Sequence, residues 1–187
     1  MSVALRIDVG SAVEAHGFQP CEKSHDKEAA LAAVDNLADR IFFVTSVTWG
    51  RRSLFQSEPA ARILTETVFS YRERGIFQLY EFVIMPDHIH LLLAPNSTVA
   101  LERAMQFIKG GFSHRFMKET GSRMEIWQRG FTNHRIRDWT DFERHRGYIH
   151  LNPVRAGLVE FPKDYPYSSA HPGFVVDEAP QRLKPVA

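Results

Sequence analysis

The chain has a single cysteine, Cys21, among 187 residues. That excludes an intramolecular disulfide and any cysteine-built zinc site. It has no run approaching the roughly 18 consecutive apolar residues that a membrane span needs. Its first residues, MSVALRIDVGSAVEAHG, lack the basic stretch followed by an apolar run that marks a secretory signal, so the expected setting is the cytoplasm. Internal repeats and low-complexity tracts are absent. An excess of one charge is missing too: 23 basic and 22 acidic side chains give a net charge of +1, which by itself names no partner. What is present is an ordinary 44% apolar share, enough in a chain of this length for one domain with a real core and some appendages.

The charge is unevenly spread. Residues 103–155 carry 11 basic and 5 acidic side chains, whereas residues 1–40 carry 4 and 7. A local basic stripe is the footprint expected of a polyanion site, and equally of a solvated face with scattered arginines.

Strand signals, rich in β-branched and aromatic residues, occur over 41–49, 77–85 and 88–95, the last two joined by the turn Pro86-Asp87 into a hairpin. Residues 126–138 read as a fourth strand or ribbon. Helical spacing over 58–75 places Ile63, Leu64, Thr67, Val68 and Tyr71 on one face and ends at Gly75. A second helix spans 97–121, with Gly110-Gly111 a candidate bend. A third spans 138–151, with Thr140 as its expected N-cap. Asn152 precedes Pro153, which disfavours further helix there, and Pro153 reads as the start of a short turn ending at Gly157. The alanine-rich stretch 26–40 reads as a separate helix capped by Ser24 or Asp26. Residues 161–173 read as a proline-punctuated loop, and the last residues as loosely held. The order predicts an α+β fold: a ferredoxin-like β-α-β-β-α-β core with an antiparallel sheet and both early helices on one face, followed by a further helix. The expected divisions are an N-terminal appendage (1–39), a domain (40–160) and a C-terminal tail (161–187).

The chemistry-bearing residues cluster in two segments. In PDHIHLLL, His88 and His90 lie two apart on a strand and so project from one face, while Ile89, Leu91 and Leu93 point into the core. Two imidazoles at fixed spacing suit one metal ion. Further ligands are open among Asp87, His145, His150 and Asn152, and a mixed nitrogen and oxygen set with free positions suits Mg²⁺ or Mn²⁺. In YIHLNPVRAGLV, Tyr148 lies one helical turn before Asn152. A phenol with pKa near 10 is a poor nucleophile at neutral pH, a demand that a metal-polarised phosphate relaxes. The cationic and aromatic side chains Arg51, Arg52, Lys109, His114, Arg115, Lys118, Trp127, Arg129, Arg135 and Arg137, with Phe131 and His134 among them, suit phosphate pairing and base stacking.

Four segments in order, FFVTSVTWGRR, EFVIMPDHIHLLL, IWQRGFTNHRIRD and YIHLNPVRAGLV with the following DYPYSSA, resemble the single-tyrosine transposases of the HUH class, and most closely the REP-associated tyrosine transposases. The resemblance spans roughly residues 41–170. It implies that residues 40–160 form a catalytic domain, with Tyr148 as nucleophile and His88, His90 and Asn152 as ligands of Mg²⁺ or Mn²⁺. The substrate implied is single-stranded or hairpin DNA of the repetitive extragenic palindrome type, cleaved through a 5′-phosphotyrosine. The protein would act as a monomer or homodimer, with no membrane partner. Rival readings are another HUH nickase such as a relaxase or replication initiator, a non-catalytic nucleic-acid-binding module, and a metal phosphoesterase that uses water.

Overall fold

The computed structural model describes residues 40–180 and Leu183. The helix expected over 26–40 therefore lies almost wholly outside the described residues. The elements run β1 (Phe42–Val47), α1 (Glu58–Glu73), β2 (Phe77–Met85), β3 (His88–Pro95), α2 (Leu101–Thr120), β4 (Thr132–Arg135) and α3 (Trp139–Arg155), with single 3₁₀ turns at Trp49–Arg51, Leu54–Gln56 and Pro162–Asp164. The four strands form one antiparallel sheet in the order β2-β3-β1-β4. This is the predicted α+β arrangement, and β3 and β1 lie at its centre.

The sheet separates two apolar layers. On one face Val44, Phe82, Ile89, Leu91 and Leu93 pack with Ile63, Leu64 and Val68 of α1 and with Met105, Ile108 and Phe112 of α2. On the other, Tyr80, Val83, Leu92 and Ala94 pack with Phe142 and Ile149 of α3. Strand β3 supplies both layers by simple alternation, so its odd-numbered residues face α1 and α2 while His90, Leu92 and Ala94 face α3.

Three expectations need correction. The strand predicted over 126–138 shrinks to Thr132–Arg135. Gly130 takes φ +69°, which turns the chain between an isolated bridge at Thr48/Trp127 and β4 proper. Asp138, not Thr140, caps α3: its carboxylate accepts the Asp141 N–H at 2.8 Å. Finally, α3 does not stop before Pro153 but runs through it to Arg155. Proline forfeits only one helical N–H, and the last turn is closed by Ala156 N–H to Asn152 O (3.0 Å) and Leu158 N–H to Pro153 O (2.9 Å). Asn152 is thus helical, one turn beyond Tyr148.

The Gly110-Gly111 pair leaves α2 a single continuous helix. Gly111 serves clearance: a Cβ there would stand 2.6 Å from Cε2 of Tyr71 on α1. The stretch expected as a proline-punctuated loop in the C-terminal tail is bound along β2. Ile84 N–H donates to Tyr167 O and Ser169 N–H to Phe82 O, each at 2.9 Å. Asp177 takes the Leu79 N–H at 2.7 Å and pairs with Arg72.

Candidate active site

Strand β3 is held on both sides, with His90 opposite Thr45 of β1 and Val83 of β2, and His88 opposite Val47 and Met85. That double pairing fixes both imidazoles on the α3 face. Their Nε2 atoms converge to 3.1 Å. The outer nitrogen of each ring has its own partner: His88 Nδ1 lies 2.5 Å from Asp87 Oδ1, and His90 Nδ1 lies 2.8 Å from Thr45 Oγ1. With Nδ1 protonated toward those oxygens, two Nε2 lone pairs point at a common position. Two ligands at roughly 2.1 Å from a hard divalent ion and 90° apart stand about 3 Å from one another, so the donor set fits a metal of that kind.

Burial enforces the neutral form. His90 is only 4% exposed, and its pKa is pushed down to about 3, first by desolvation and then by the neighbouring His88. The Asp87 carboxyl is raised by burial but bonded by His88 and by Arg51 (3.1 Å), and the balance holds it below its ordinary value. Arg51 occupies this position from a left-handed backbone (φ +51°), uncommon for a side chain of its kind.

Tyr148 comes down on this pair from α3. Its ring lies edge-on to His90 at 5.1 Å and edge-on to Phe43 at 5.8 Å, with the Arg155 guanidinium over it at 5.8 Å. It remains 39% exposed. Asn152, half-buried, continues the same helical stripe one turn on.

The structure sorts the other candidates. Asp87 backs His88. His150 lies on the far flank of α3, bonded at 2.7 Å to Glu81 of β2. His145 joins a different cluster: its Nδ1 is 3.2 Å from Asp141 Oδ1, while His134 Nε2 of β4 is 2.7 Å from Asp141 Oδ2. His134, Asp141 and His145 offer ligand atoms that all lie within 4.8 Å of one another, the one such group among the described residues. The rings of His134 and His145 stack at 20°; His134 Nε2 bonds the carboxylate, while His145 Nδ1 bonds the Asp141 backbone carbonyl at 2.8 Å. Phe43 separates this cluster from His90, at 4.7 Å from His145 and 5.2 Å from His90.

The basic set also divides. Trp127 is only 8% exposed, wedged against Phe55 and Phe112, and its Nε1 donates to Lys109 O. A stacking platform for bases was expected there; the ring is core. Lys109 is bonded to the carbonyls of Gln128 and Gly130, and burial lowers its pKa. Arg115 pairs with Glu66, and Arg52 bonds the carbonyls of Trp49 and Glu125. His114, Lys118, Arg129, Arg135 and Arg137 are exposed. His114 and Lys118 ride on α2, the layer behind the sheet, whereas Arg135 ends β4 opposite Phe42 and Arg137 follows on the approach to α3.

Phe43, Thr45, Glu81 and Asp141 escaped the sequence reading, and His134 entered it only among the residues suited to DNA contact, not as a partner of Asp141. Alternation along β1 puts Phe43 and Thr45 on one face, but only the register with β3 puts that face under Tyr148.

The chain is similar to known proteins across this site. The family model described as "Transposase IS200 like" matches residues 39–152, which include His88, His90, Tyr148 and Asn152. A Haemophilus influenzae protein described as a REP-associated tyrosine transposase is 39% identical over 105 residues, covering 51% of this chain and 60% of that one. The REP-associated tyrosine transposase of Escherichia coli is 27% identical over 131 residues, covering 70% of this chain and 75% of that one. A solved REP-associated tyrosine transposase bound to a REP hairpin superposes with a TM-score of 0.61 at 27% identity, covering 71% of this chain and 78% of the other. With the model match extending over more than half of its length, the chain belongs to the IS200-like transposase family.

Proposed function

We propose that this chain cleaves and rejoins single-stranded DNA at REP-type hairpins, through a covalent 5′-phosphotyrosine on Tyr148. The observation that carries this reading is the packing of the Tyr148 ring on His90, 5.1 Å away, directly beside the converging Nε2 pair. Mg²⁺ or Mn²⁺ would be held by His88, His90 and Asn152, and when bound supplies Lewis-acid polarisation of the scissile phosphate. The Tyr148 oxygen attacks phosphorus. The bond from phosphorus to the 3′ oxygen breaks, and the phenolic proton passes through solvent to that oxygen, which leaves as a 3′-OH. The tyrosyl ester preserves the free energy of the phosphodiester, so a second 3′-OH reverses the step and joins strands without ATP. Thr45 and Asp87 hold the imidazoles in the tautomer that exposes Nε2. Because the tyrosine and histidines of one chain already meet, the geometry supports action in cis by a monomer.

Exposed Arg129, Arg135 and Arg137, with Arg51, His114 and Lys118, supply the cations for the DNA backbone. Among the described residues no helix is long and apolar enough to cross a membrane, and we place this activity in the cytoplasm with its DNA. The test is a labelled hairpin with single-stranded flanks, incubated with Mn²⁺ and resolved under denaturing conditions. Wild type is expected to form a denaturant-stable adduct. Tyr148→Phe should bind the hairpin equally well and form none. Cleavage by Tyr148→Phe at the wild-type rate would show that water, not tyrosine, is the nucleophile.

A further inference from the structure

Strand β2 contains one irregularity. Leu79 pairs with Leu93, yet Glu81 pairs with Leu92, so Tyr80 is an extra residue and the strand bulges. The bulge changes which way Glu81 points. Leu79 belongs to the layer under α1 and α2. Strict alternation from Leu79 would place Glu81 there as well, a carboxylate among Leu64, Phe82 and Leu91. The extra residue turns Tyr80 and Glu81 together toward α3, and alternation resumes at Phe82.

On that face Glu81 is 7% exposed and fully engaged. Oε2 takes His150 Nε2 at 2.7 Å and Ser169 Oγ at 2.5 Å, and Oε1 lies 3.1 Å from Arg146 Nε. Arg146 and His150 are one turn apart on α3 and bracket Tyr148 in sequence. Ser169 belongs to the segment bound along β2, where its own N–H and hydroxyl also reach Phe82 O. One carboxylate therefore joins the sheet, the tyrosine helix and the C-terminal segment. On the opposite flank of α3, His134 of β4 grips Asp141. The helix is held from both edges of the sheet.

A bulge and a buried carboxylate each carry a local cost, and finding both at one residue asks for a use. Tyr148 itself is half-exposed and makes ring contacts at 5 to 6 Å, so the lie of α3 sets where its hydroxyl falls. We propose that Glu81 is a positioning residue: it fixes the roll and depth of α3 on the sheet and thereby the distance from Tyr148 to the histidine pair. The inference rests on Tyr148 being the nucleophile. Misplacement of a reacting group by about 1 Å is enough to cost on the order of 100-fold in rate.

The test uses the full chain, the flanked hairpin and Mn²⁺. Glu81→Gln keeps size and shape but loses the charge that Arg146 and His150 share. It is expected to slow adduct formation at saturating DNA by at least about tenfold, with DNA Kd and Mn²⁺ affinity held within about twofold. Amide exchange across residues 144–152 should speed up relative to β3. Adduct formation at the wild-type rate, unchanged helix protection, or equal losses in Kd and rate would each overturn the proposal. Absence of adduct from the wild type would overturn the tyrosine chemistry instead, and the exchange measurement would still judge the clamp. Should Glu81→Gln not fold, His150→Gln removes one bond to Glu81, and Ser169→Ala removes another together with the hydroxyl's bonds to Phe82. Both are expected to shift rate and exchange in the same direction to a smaller extent, and no change in either variant overturns the proposal.

Discussion

His90 carries two demands that pull against each other. In the proposed role of metal ligand it must be neutral with a free Nε2, and as a buried strand residue it must leave no uncompensated charge. Burial between β1 and α3, with Thr45 on Nδ1, meets both. The same arrangement makes a prediction about acid. Its folded pKa, near 3, lies below the ordinary value of about 6.5, so between them the unfolded chain binds more protons and stability rises with pH. Acidifying the metal-free protein from pH 7 to 5 is therefore expected to lower its unfolding free energy by up to about 2 kcal/mol. The carboxyl groups that are held low, at Asp87, Asp141 and Asp177, would lose their partners only below this window. Urea unfolding at both pH values reads the effect. His90→Gln should flatten the dependence, and an equally steep slope in that variant would assign it elsewhere.

At the level of elements, the sequence was most informative where one periodicity ran uninterrupted. Strand β3 was legible to the residue, because His88-Ile89-His90-Leu91 alternates without a break and a turn precedes it. Helix α1 was legible from its apolar spacing and Gly75. What failed was punctuation. Pro153 reads as a stop but costs α3 only one bond in its last turn, and Gly130 breaks a segment that otherwise reads as one strand. The partner across the sheet stayed hidden as well: nothing local to Phe43 or Thr45 shows that β1 sits between β3 and β4. Adjacent glycines in α2 give a sharp test of how far propensity goes. Gly110 has nothing within 4 Å of a built Cβ, so Gly110→Ala should stabilise by about 0.5–1 kcal/mol through helix propensity alone. Gly111 faces Tyr71, which is stacked on Phe107 at 5.3 Å, and Thr67. Gly111→Ala should be destabilising by about 1–3 kcal/mol of overpacking, less the helix gain. Denaturant midpoints of the two variants should fall on opposite sides of the wild type.

Across the whole molecule, a sheet with two covered faces divides labour. One face, under α1 and α2, is apolar and supports. The other carries both histidine clusters and the tyrosine helix, with Phe43 between the clusters. The edges are unequal too: β4 is short and exposed, while β2 is covered by residues 165–177. Asp177 anchors that cover through paired bonds to Arg72 (2.8 and 2.9 Å) and the Leu79 N–H. Asp177→Ala would leave those donors without it and should cost about 1–3 kcal/mol. The loss should appear as a lower thermal midpoint and faster amide exchange at Leu79 and Ile84, and unchanged exchange there would show that the cover is held by other contacts.

That covering segment also bears on when the molecule becomes competent. Two of its bonds join positions 87 and 105 residues apart, Ser169 to Phe82 and Asp177 to Arg72. A nascent chain emerging from the ribosome has its histidines and tyrosine in hand well before Ser169 and Asp177 appear. Until then, one edge of the sheet is bare and Glu81 lacks its third partner. Completion of the fold thus waits on the late-made segment, and a polypeptide interrupted short of it would carry His88, His90 and Tyr148 without the contacts that tie α3 and β2 to that segment.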